Sequence, residues 1–231
     1  MRVGPYLLGP NDTPENGIYT GDARELAKAI PDESVDLIFC DPIYDRIDDY
    51  RWLAETASRV LKMDRACLAW CGIGHIEPTL SALSTALSFR WQFAVMQMDG
   101  PTCPSKRFFY KGFNKWHTCL WFEKGKGDPE RHIVDFVISK KETGNDHKWR
   151  KGTGSYIHWL SRFVGCDSIT FDPFTGGGTV PAVCKMLGRR YLAFEIDPDV
   201  AQTARDRVRE TQPPLPNLMC EQLELVDEKA M

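Results

Sequence analysis

Hydrophobic and polar positions along the chain form two kinds of pattern. Residues 35–40 make up a run that is apolar except for Asp36 and is bounded by polar residues, which is typical of a central strand in a parallel sheet. Residues 154–164 instead carry an apolar stripe at helical spacing, which predicts a helix with one face on the core. Strands and helices predicted in this way alternate along the chain, as they do in α/β folds.

The same patterns give the positions of the other elements. We predict strands at residues 18–20, 35–40, 66–70, 89–98, 116–123, 168–172 and 191–196. We predict helices at residues 23–30, 49–61, 76–87, 154–164, 180–187 and 198–209. Residues 1–16 are rich in Pro, Gly and Asn and predict an irregular start, whereas residues 128–149 are polar, basic and weakly patterned.

The stretch 168–197 carries a chemical signal. One predicted strand ends at Asp172, a turn with three consecutive glycines follows, and a helix then leads to a strand that ends near Glu195. Glycines let a ligand approach the backbone, and the start of a helix offers free N–H groups. An acid at the end of the second strand can accept hydrogen bonds from a ribose, with Asp197 beside it as a second acid. The unit predicts a site for a nucleoside-containing cofactor.

Two other kinds of nucleotide site are disfavoured by the spacing. No Lys-Ser or Lys-Thr pair follows the glycines, which argues against a P-loop. Because Gly176, Gly177 and Gly178 are contiguous, they do not form the G-x-G-x-x-G spacing either. An ordinary tight loop is the alternative, but the strand-end acid belongs to the same unit and favours a ligand site.

Length and composition limit the class of protein. A chain of 231 residues can form one domain with a sizeable core. No apolar run approaches the ~20 residues of a membrane span, and the first residues lack an apolar signal core, so we expect a cytoplasmic protein. The spacing Cys67-x-x-x-Cys71-x-x-x-His75 is unusual for zinc, and no metal site is expected. The cysteines within apolar runs are expected to be reduced core thiols, namely Cys40, Cys67, Cys71, Cys119 and Cys184.

Charge is distributed unevenly along the chain. The net charge is −3, yet residues 105–151 hold 12 basic and 6 acidic side chains. This excess predicts a polyanionic partner, with a solvated lysine-rich loop as the alternative. Within 99–115, basic and aromatic residues interleave, which suits phosphates and stacked bases, although an aromatic minicore is the alternative. The candidate nucleic-acid contacts are Lys106, Arg107, Phe108, Phe109, Lys111 and Lys115.

The tetrapeptide Asp41-Pro42-Ile43-Tyr44 follows the apolar strand 35–40. The Asp41 carboxylate can accept one proton of an amino group, the Pro42 carbonyl can accept the other, and the Tyr44 ring can stack on a flat heterocycle. A plain Asp-Pro turn after a strand is the alternative. The first interpretation predicts a site that holds an exocyclic amine with its lone pair free to attack.

Together, the two motifs resemble those of the amino-methylating DNA methyltransferases, which modify adenine at N6 or cytosine at N4. In that family Asp-Pro-Pro-Tyr holds the flipped base, and Asp-Pro-Phe-x-Gly-x-Gly-Thr binds S-adenosylmethionine. The catalytic motif comes first here, as in the permuted subgroup often called the β class. The resemblance covers roughly residues 18–210, and several spaced motifs agree.

The resemblance implies a fold and a set of site residues. The fold is a Rossmann-like class I methyltransferase fold, with helices on both faces of a mostly parallel seven-stranded sheet. One domain would span residues 1–231, with a short target-recognition insertion at about 99–149. The implied catalytic residues are Asp41, Pro42, Ile43 and Tyr44. Those implied for S-adenosylmethionine are Asp22, Lys151, Asp172, Pro173, Phe174, Gly176, Gly178, Thr179, Glu195 and Asp197.

The sequence departs from the family motifs at a few positions. Ile43 replaces the second proline, which loosens the backbone there and keeps the Pro42 carbonyl. Near Lys151, Trp149 and Arg150 replace Thr-Gln and Gly152 replaces Pro, so the amino-acid end of the cofactor is expected to be held differently.

The resemblance implies methyl transfer from S-adenosylmethionine to the exocyclic amine of adenine in double-stranded DNA, within a restriction-modification system. Asp at position 41 favours adenine by family habit alone, and cytosine-N4 methylation is the alternative. An RNA methyltransferase and a catalytically inactive DNA-binding homologue are less favoured. Because the recognition region is short, either few bases are read directly or a second subunit helps, as in a homodimer.

Overall fold

The structure is a computed structural model, and it describes residues 17–97, 116–127, 132–139, 153–165 and 167–212. The strands of these residues are β1 Gly17–Thr20, β2 Val35–Cys40, β3 Leu61–Cys71, β4 Ser88–Gln97, β5 Trp116–Lys124, β6 Phe136–Ser139, β7 Ile169–Asp172 and β8 Arg190–Glu195. The α-helices are α1 Ala23–Leu26, α2 Ile47–Val60, α3 Ile76–Leu83, α4 Thr153–Phe163, α5 Thr179–Met186 and α6 Pro198–Glu210. Short 3₁₀ turns follow α1 and precede α3.

The strands form a single sheet in the order β1-β8-β7-β2-β3-β5-β4-β6. All pairings are parallel except those of β5 with its neighbours β3 and β4, so β5 runs against the others. The described sheet is therefore mixed and has eight strands, which corrects the predicted count of seven. The additional strand is β6, which pairs with β4 within the stretch that the sequence predicts to be weakly patterned.

The sequence pattern misses β6 because this strand buries little. It has four residues at the edge of the sheet, and Phe136 and Ile138 are both exposed. An edge strand is fixed by its ladder with the neighbouring strand, and that pairing leaves no local hydrophobic pattern. Strands β5 and β6 lie within the predicted target-recognition insertion at 99–149, and both belong to the sheet. The structure does not describe most of the remaining residues of that insertion.

The helices cover both faces of the sheet, as predicted. On one face, a core cluster joins α1, α2 and α3 to the sheet through residues such as Leu26, Leu53 and Leu83. On the other face, a second cluster includes Trp159 of α4, Val183 of α5 and Ala204 of α6. Strand β2 is buried throughout and contributes residues to both clusters, which explains why it is apolar except for Asp36, whose buried carboxylate pairs with Lys62.

The boundaries of several elements differ from the predicted ones. The predicted helix 23–30 ends after one α-helical turn and continues as a 3₁₀ turn, and the predicted helix 76–87 ends at Leu83. Strand β3 begins five residues earlier than the predicted strand at 66–70, because its polar first part pairs through the backbone and carries no apolar alternation. The predicted reduced core thiols are confirmed, since Cys40, Cys67, Cys71, Cys119 and Cys184 are free and buried.

The described residues include neither a membrane-spanning helix nor a cluster of metal-binding side chains. None of their helices is long and apolar enough to cross a membrane. Within the same ranges, no group of three or more His, Cys, Asp and Glu side chains could hold a metal ion.

Candidate active site

The predicted site residues gather at one edge of the sheet. Strands β1, β8, β7 and β2 are mutually parallel, so their carboxyl ends lie side by side. Asp22 follows β1, Glu195 ends β8, Asp172 ends β7 and Asp41 follows β2. Ligand sites of open α/β sheets lie at such ends, and here four acids from distant parts of the chain meet there.

The tetrapeptide 41–44 forms a compact unit at the end of β2. Burial raises the pKa of the Tyr44 hydroxyl, and Asp41 raises it further by its charge and by accepting a hydrogen bond from that hydroxyl. Pro42 is buried, while the Ile43 side chain is exposed and its carbonyl accepts the Arg46 N–H at 3.0 Å. The turn and the hydrogen bond fix Asp41 and Tyr44 relative to each other, a contact that the sequence does not reveal.

The glycine turn after β7 has the backbone conformation that glycine favours. Gly176 and Gly178 have φ values of +48° and +74°, in the left-handed region. A Cβ at Gly178 would lie 2.9 Å from the Cβ of Ala204, because α6 packs against the turn there. A Cβ at Gly176 would meet no atom within 4 Å, so the backbone at Gly176 borders open space. Gly178 therefore serves packing, and Gly176 is the position where a ligand can approach the backbone.

Glu195 is held by the backbone around it. One carboxylate oxygen, Oε2, accepts the Gly176 N–H at 2.9 Å, and the other, Oε1, accepts the Asp197 N–H at 3.0 Å. These bonds orient the half-buried carboxylate beside the glycine turn. Each carboxylate oxygen can accept more than one hydrogen bond, so Glu195 keeps the capacity to bind a pair of hydroxyl groups.

Asp172 is the buried acid of the site. The pKa of its carboxyl is raised to about 8, mainly by burial. The Phe174 N–H, which donates to the carboxyl at 3.1 Å, favours the charged form and acts in the opposite direction. The charges of Asp41 and Glu195 contribute to this increase, which shows that both carboxyl groups are within electrostatic reach of Asp172. A site that crowds acids in this way favours a ligand with positive charge.

Asp22 and Asp197 both cap helices. Asp22 precedes α1, and its Oδ1 accepts the Arg24 N–H at 2.8 Å. Asp197 precedes α6, and its Oδ1 accepts the N–H groups of Asp199 at 2.9 Å and Val200 at 3.1 Å. The residue type and position of both acids are those of ordinary N-caps, a signal that is present in the sequence.

Phe174 is positioned by a residue that the sequence reasoning does not assign to the site. Its ring contacts the Trp52 ring of α2 edge to face, with ring centroids 5.7 Å apart. The Arg24 guanidinium lies over Trp52 at 5.8 Å from the ring centroid and pairs with Asp49. Helices α1 and α2 thereby support the cofactor motif from one side.

On the other side, α6 holds the start of α5. The Arg207 guanidinium donates to the Thr179 hydroxyl at 2.8 Å and to the Gly177 carbonyl at 3.2 Å. The predicted cofactor residue Thr179 therefore uses its hydroxyl within the protein. Pro173 is buried between Asp172 and Phe174.

Tyr156 is a further residue near the site. The sequence places it in the core stripe of α4, and the structure confirms that it is buried and stacks on Phe39 with ring centroids 4.7 Å apart. Burial raises the pKa of its hydroxyl, and the charges of Asp41, Tyr44 and Asp172 raise it further. Its closeness to these groups follows from the packing of α4 on β2, which no local pattern indicates.

A polar cavity of about 670 Å³ lies at the start of α2, next to the tetrapeptide. None of the predicted cofactor residues lines this cavity, and its charges pair with each other, Arg24 with Asp49 and Arg51 with Asp48. We therefore place the candidate site at the strand ends. The lining residues of the cavity are Arg24, Asp45, Arg46, Ile47, Asp48, Asp49 and Arg51.

Seven predicted site residues lie outside the described residues. They are Lys151, predicted for the cofactor, and the candidate DNA contacts Lys106, Arg107, Phe108, Phe109, Lys111 and Lys115.

Comparison with known sequences identifies relatives over most of the chain. No protein-family model matches. The Type II methyltransferase M2.MboI of Moraxella bovis is 23% identical over 270 residues, covering 94% of this chain and 95% of that protein. M.HinfI of Haemophilus influenzae is 26% identical, covering 86% of this chain and 69% of that protein. M.BamHI of Bacillus amyloliquefaciens is 27% identical, covering 85% of this chain and 57% of that protein.

Comparison with solved structures supports the fold. A complex of M1.HpyAVI with SAM matches with a TM-score of 0.69 at 21% identity, covering 83% of this chain and 98% of that chain. The cytosine-N4-specific PvuII DNA methyltransferase matches with a TM-score of 0.74 at 16% identity, covering 94% of this chain and 92% of that chain. The chain therefore has the Rossmann-like methyltransferase fold, and the predicted resemblance to S-adenosylmethionine-dependent DNA amino-methyltransferases is confirmed.

Proposed function

We propose that this protein transfers a methyl group from S-adenosylmethionine to the exocyclic amine of a base in double-stranded DNA, with adenine as the base. The observation that carries the proposal is the hydrogen bond from the Tyr44 hydroxyl to the Asp41 carboxylate at the end of β2. This hydrogen bond holds the Asp41 carboxylate, which can accept a hydrogen bond from an amine, next to the Tyr44 ring. Both residues lie beside the strand ends that carry Asp172 and Glu195.

The residues at the strand ends fit S-adenosylmethionine. Glu195 is oriented by two backbone N–H groups and can accept hydrogen bonds from the two ribose hydroxyls. The open space next to Gly176 lets the cofactor approach the backbone. Crowded carboxyl groups suit a cofactor that carries a sulfonium and an ammonium group. Asp22, Phe174 and Lys151 belong to the proposed cofactor set, and Asp197 is assigned to it less directly because it caps α6.

Methyl transfer requires the protein mainly to position the amine and the methyl donor. When bound, S-adenosylmethionine supplies an electrophilic methyl carbon, to which the amine nitrogen bonds while the carbon–sulfur bond breaks. The amine of a base shares its lone pair with the ring and is a poor nucleophile. Asp41 and the Pro42 carbonyl would accept its two N–H groups and favour a tetrahedral nitrogen, and Asp41 is placed to take up the proton that leaves. The Tyr44 ring would stack on the extruded base.

Adenine is the proposed base, and cytosine is the second candidate. Asp41 favours adenine through the family resemblance, whereas the cytosine-N4-specific PvuII enzyme has the same fold. The amine chemistry is identical for both bases. A role in restriction-modification and a cytoplasmic location accompany the proposal, as does a second copy of the chain that adds to recognition of the DNA site.

The proposal is tested by expressing the protein in cells that lack their own DNA methyltransferases. Mass spectrometry of the nucleosides from their DNA should detect N6-methyladenine, and sequencing that reports modified bases should place it in one short site. The Asp41→Ala protein should produce none. Asp48→Ala is a matched control, because Asp48 is exposed and its described partner is Arg51 on the same helix.

The outcome also separates the alternatives. N4-methylcytosine instead of N6-methyladenine would replace adenine by cytosine and keep the mechanism. Methylated RNA with unmodified DNA would overturn the DNA substrate, and DNA binding without any methyl transfer would indicate an inactive homologue.

A further inference from the structure

Gly72, the residue directly after β3, lies against the proposed base-stacking residue. A Cβ built on Gly72 would be 2.8 Å from Cδ2 of the Tyr44 ring and 3.3 Å from its Cβ. Non-bonded carbon atoms pack at about 3.5–4.0 Å, so any side chain at position 72 would overlap with Tyr44. The absence of a side chain at Gly72 is therefore what lets the Tyr44 ring occupy its place.

The backbone of Gly72 gives no other reason for glycine. Its φ of −75° and ψ of 145° belong to the extended region that all L-residues adopt. Glycine is needed here for space alone, in contrast to Gly176 and Gly178, which have positive φ values. An alanine at position 72 would consequently strain the contact with Tyr44 and leave the backbone of residue 72 unstrained.

Tyr44 cannot yield to such a contact without a change in the site. Its hydroxyl donates to Asp41, and its half-buried ring packs against the core cluster that contains α4. The overlap involves both the ring and its Cβ, so relief requires that the ring turn or that the segment 41–44 shift. Either movement changes the position of the hydroxyl relative to Asp41.

The Cβ position of Gly72 also lies against His75. The same Cβ would lie 3.3 Å from Cδ2 of His75, and the His75 N–H donates to the Gly72 carbonyl at 2.9 Å. The turn that begins at Gly72 therefore packs tightly and cannot move away from Tyr44 freely. Two residues further, Gly74 has no atom within 4 Å of its own Cβ position.

We propose that Gly72 is a positioning residue for the target base, an inference that rests on the proposed methyl transfer. By leaving room for the Tyr44 ring, it sets the plane on which the base stacks and keeps the Tyr44 hydroxyl on Asp41. The end of β3 thus contributes to a site whose reacting groups follow β2.

The test compares Gly72→Ala with Gly74→Ala, which adds the same methyl group where there is space. With DNA that carries the site found by sequencing, Gly72→Ala should lower the single-turnover rate of methyl transfer by at least about tenfold, because small displacements of reacting groups cost large factors in rate. Its affinity for S-adenosylmethionine should stay within about twofold of wild type. Gly74→Ala should match wild type in both measurements.

A double variant distinguishes action through Tyr44 from general damage. In a Tyr44→Ala background the 2.8 Å overlap with the ring no longer exists and only the 3.3 Å contact with the Cβ of residue 44 remains, so adding Gly72→Ala should change the residual rate by less than about twofold. Equal slowing in both backgrounds would overturn the inference, as would a wild-type rate for Gly72→Ala.

A crystal structure of Gly72→Ala gives a readout that does not depend on activity. It should show the Tyr44 ring displaced and its hydrogen bond to Asp41 broken, and an unmoved ring would overturn the positioning role alone. If the wild-type protein methylated neither DNA nor RNA, the proposed function would fail, and the base-positioning role would fail with it.

Discussion

Asp41 is the single side chain on which the proposed chemistry depends most. It accepts a hydrogen bond from Tyr44 and lies within electrostatic reach of Asp172, so its carboxylate is oriented beside the buried acid of the site. Such a group is arranged to accept protons from a neutral amine. Neither contact involves the ribose, for which the proposed function uses Glu195.

Asp41→Ala should therefore separate catalysis from cofactor binding. Removing one acceptor is expected to cost on the order of 3 kcal/mol in transition-state stabilisation, a rate loss of a hundredfold or more. Affinity for S-adenosylmethionine should stay close to that of wild type. Single-turnover methylation and equilibrium binding measured on the same preparation decide the matter, and an active Asp41→Ala enzyme would contradict the mechanism.

Asp172 makes cofactor binding depend on pH. Its pKa of about 8 means that the carboxyl is mostly protonated at pH 7 in the protein alone. A bound cation favours the carboxylate and lowers this pKa, so binding releases a proton below about pH 8. Release of a proton means that affinity for S-adenosylmethionine should rise as the pH rises toward 8 and level off above it.

Calorimetry at pH 7 in two buffers with different heats of ionisation measures this proton directly. Asp172→Asn is the control, because it keeps an acceptor for the Phe174 N–H and removes the titrating group. Because the variant lacks the Asp172 proton, its proton release measures the contribution of the cofactor's own titrating group. Equal proton release by wild type and variant would show that Asp172 does not change its charge on binding.

At the scale of the elements, two neighbouring acids have different roles because one ends β8 and the other begins α6. Glu195 ends the strand and faces the glycine turn through the Gly176 N–H, while Asp197 begins the helix and binds its first N–H groups. Helix α6 also fastens the cofactor motif through Arg207 and fastens β1 through Arg205, which donates to the Thr20 hydroxyl at 2.7 Å. Displacement of α6 would thus disturb the site without touching a ligand.

Substitution of the two acids should consequently give opposite results. Glu195→Ala should weaken binding of S-adenosylmethionine by about 1–3 kcal/mol through loss of charge-assisted hydrogen bonds to the ribose. Asp197→Ala should instead lower the free energy of unfolding by about 1 kcal/mol, as loss of an N-cap does, with affinity nearly unchanged. Titration calorimetry and denaturant unfolding of both variants test this, and the reverse pattern would move the ribose contact to Asp197.

At the scale of the whole molecule, charge is distributed unevenly along the chain. Carboxyl groups converge at the strand ends, whereas residues 105–151 hold twice as many basic as acidic side chains. The acids at the strand ends suit a cationic cofactor, and the basic segment of the sequence suits a polyanionic substrate. The candidate DNA contacts of the basic segment lie outside the described residues, and their role stays a prediction from the sequence.

Replacement of Lys106, Arg107 and Lys111 with Ala should weaken DNA binding and flatten its salt dependence. Each lost phosphate contact removes about one unit from the slope of log affinity against log salt. Binding isotherms at several salt concentrations measure the slope. Joint replacement of Lys28 and Arg209, exposed residues that each pair with an acid three positions earlier in the sequence, should leave the slope unchanged. An unaltered slope in the loop variant would show that these residues do not contact DNA phosphates and that the loop has only a structural role.

How much the sequence predicts depends on whether the signal is local. The unit from Asp172 to Glu195 can be predicted because its strands, turn and helix are consecutive in the sequence. The strands and the helix each have their own hydrophobic period, and the turn has its glycines. Strand β2 can be predicted for the same reason, since burial on both faces makes every residue except Asp36 apolar. The motifs 41–44 and 172–179 are local as well, so the resemblance and the candidate site residues follow from the sequence.

The tertiary structure decided what depends on contacts between distant segments. It placed β6 at the sheet edge through its pairing with β4, set Trp52 against Phe174, and brought Gly72 against Tyr44. It also set the pKa of Asp172, because burial and the approach of Asp41 and Glu195 arise only when three strand ends align. Backbone periodicity constrains residues within a few positions of each other, whereas these contacts join residues tens of positions or more apart, and only packing of the folded chain defines them.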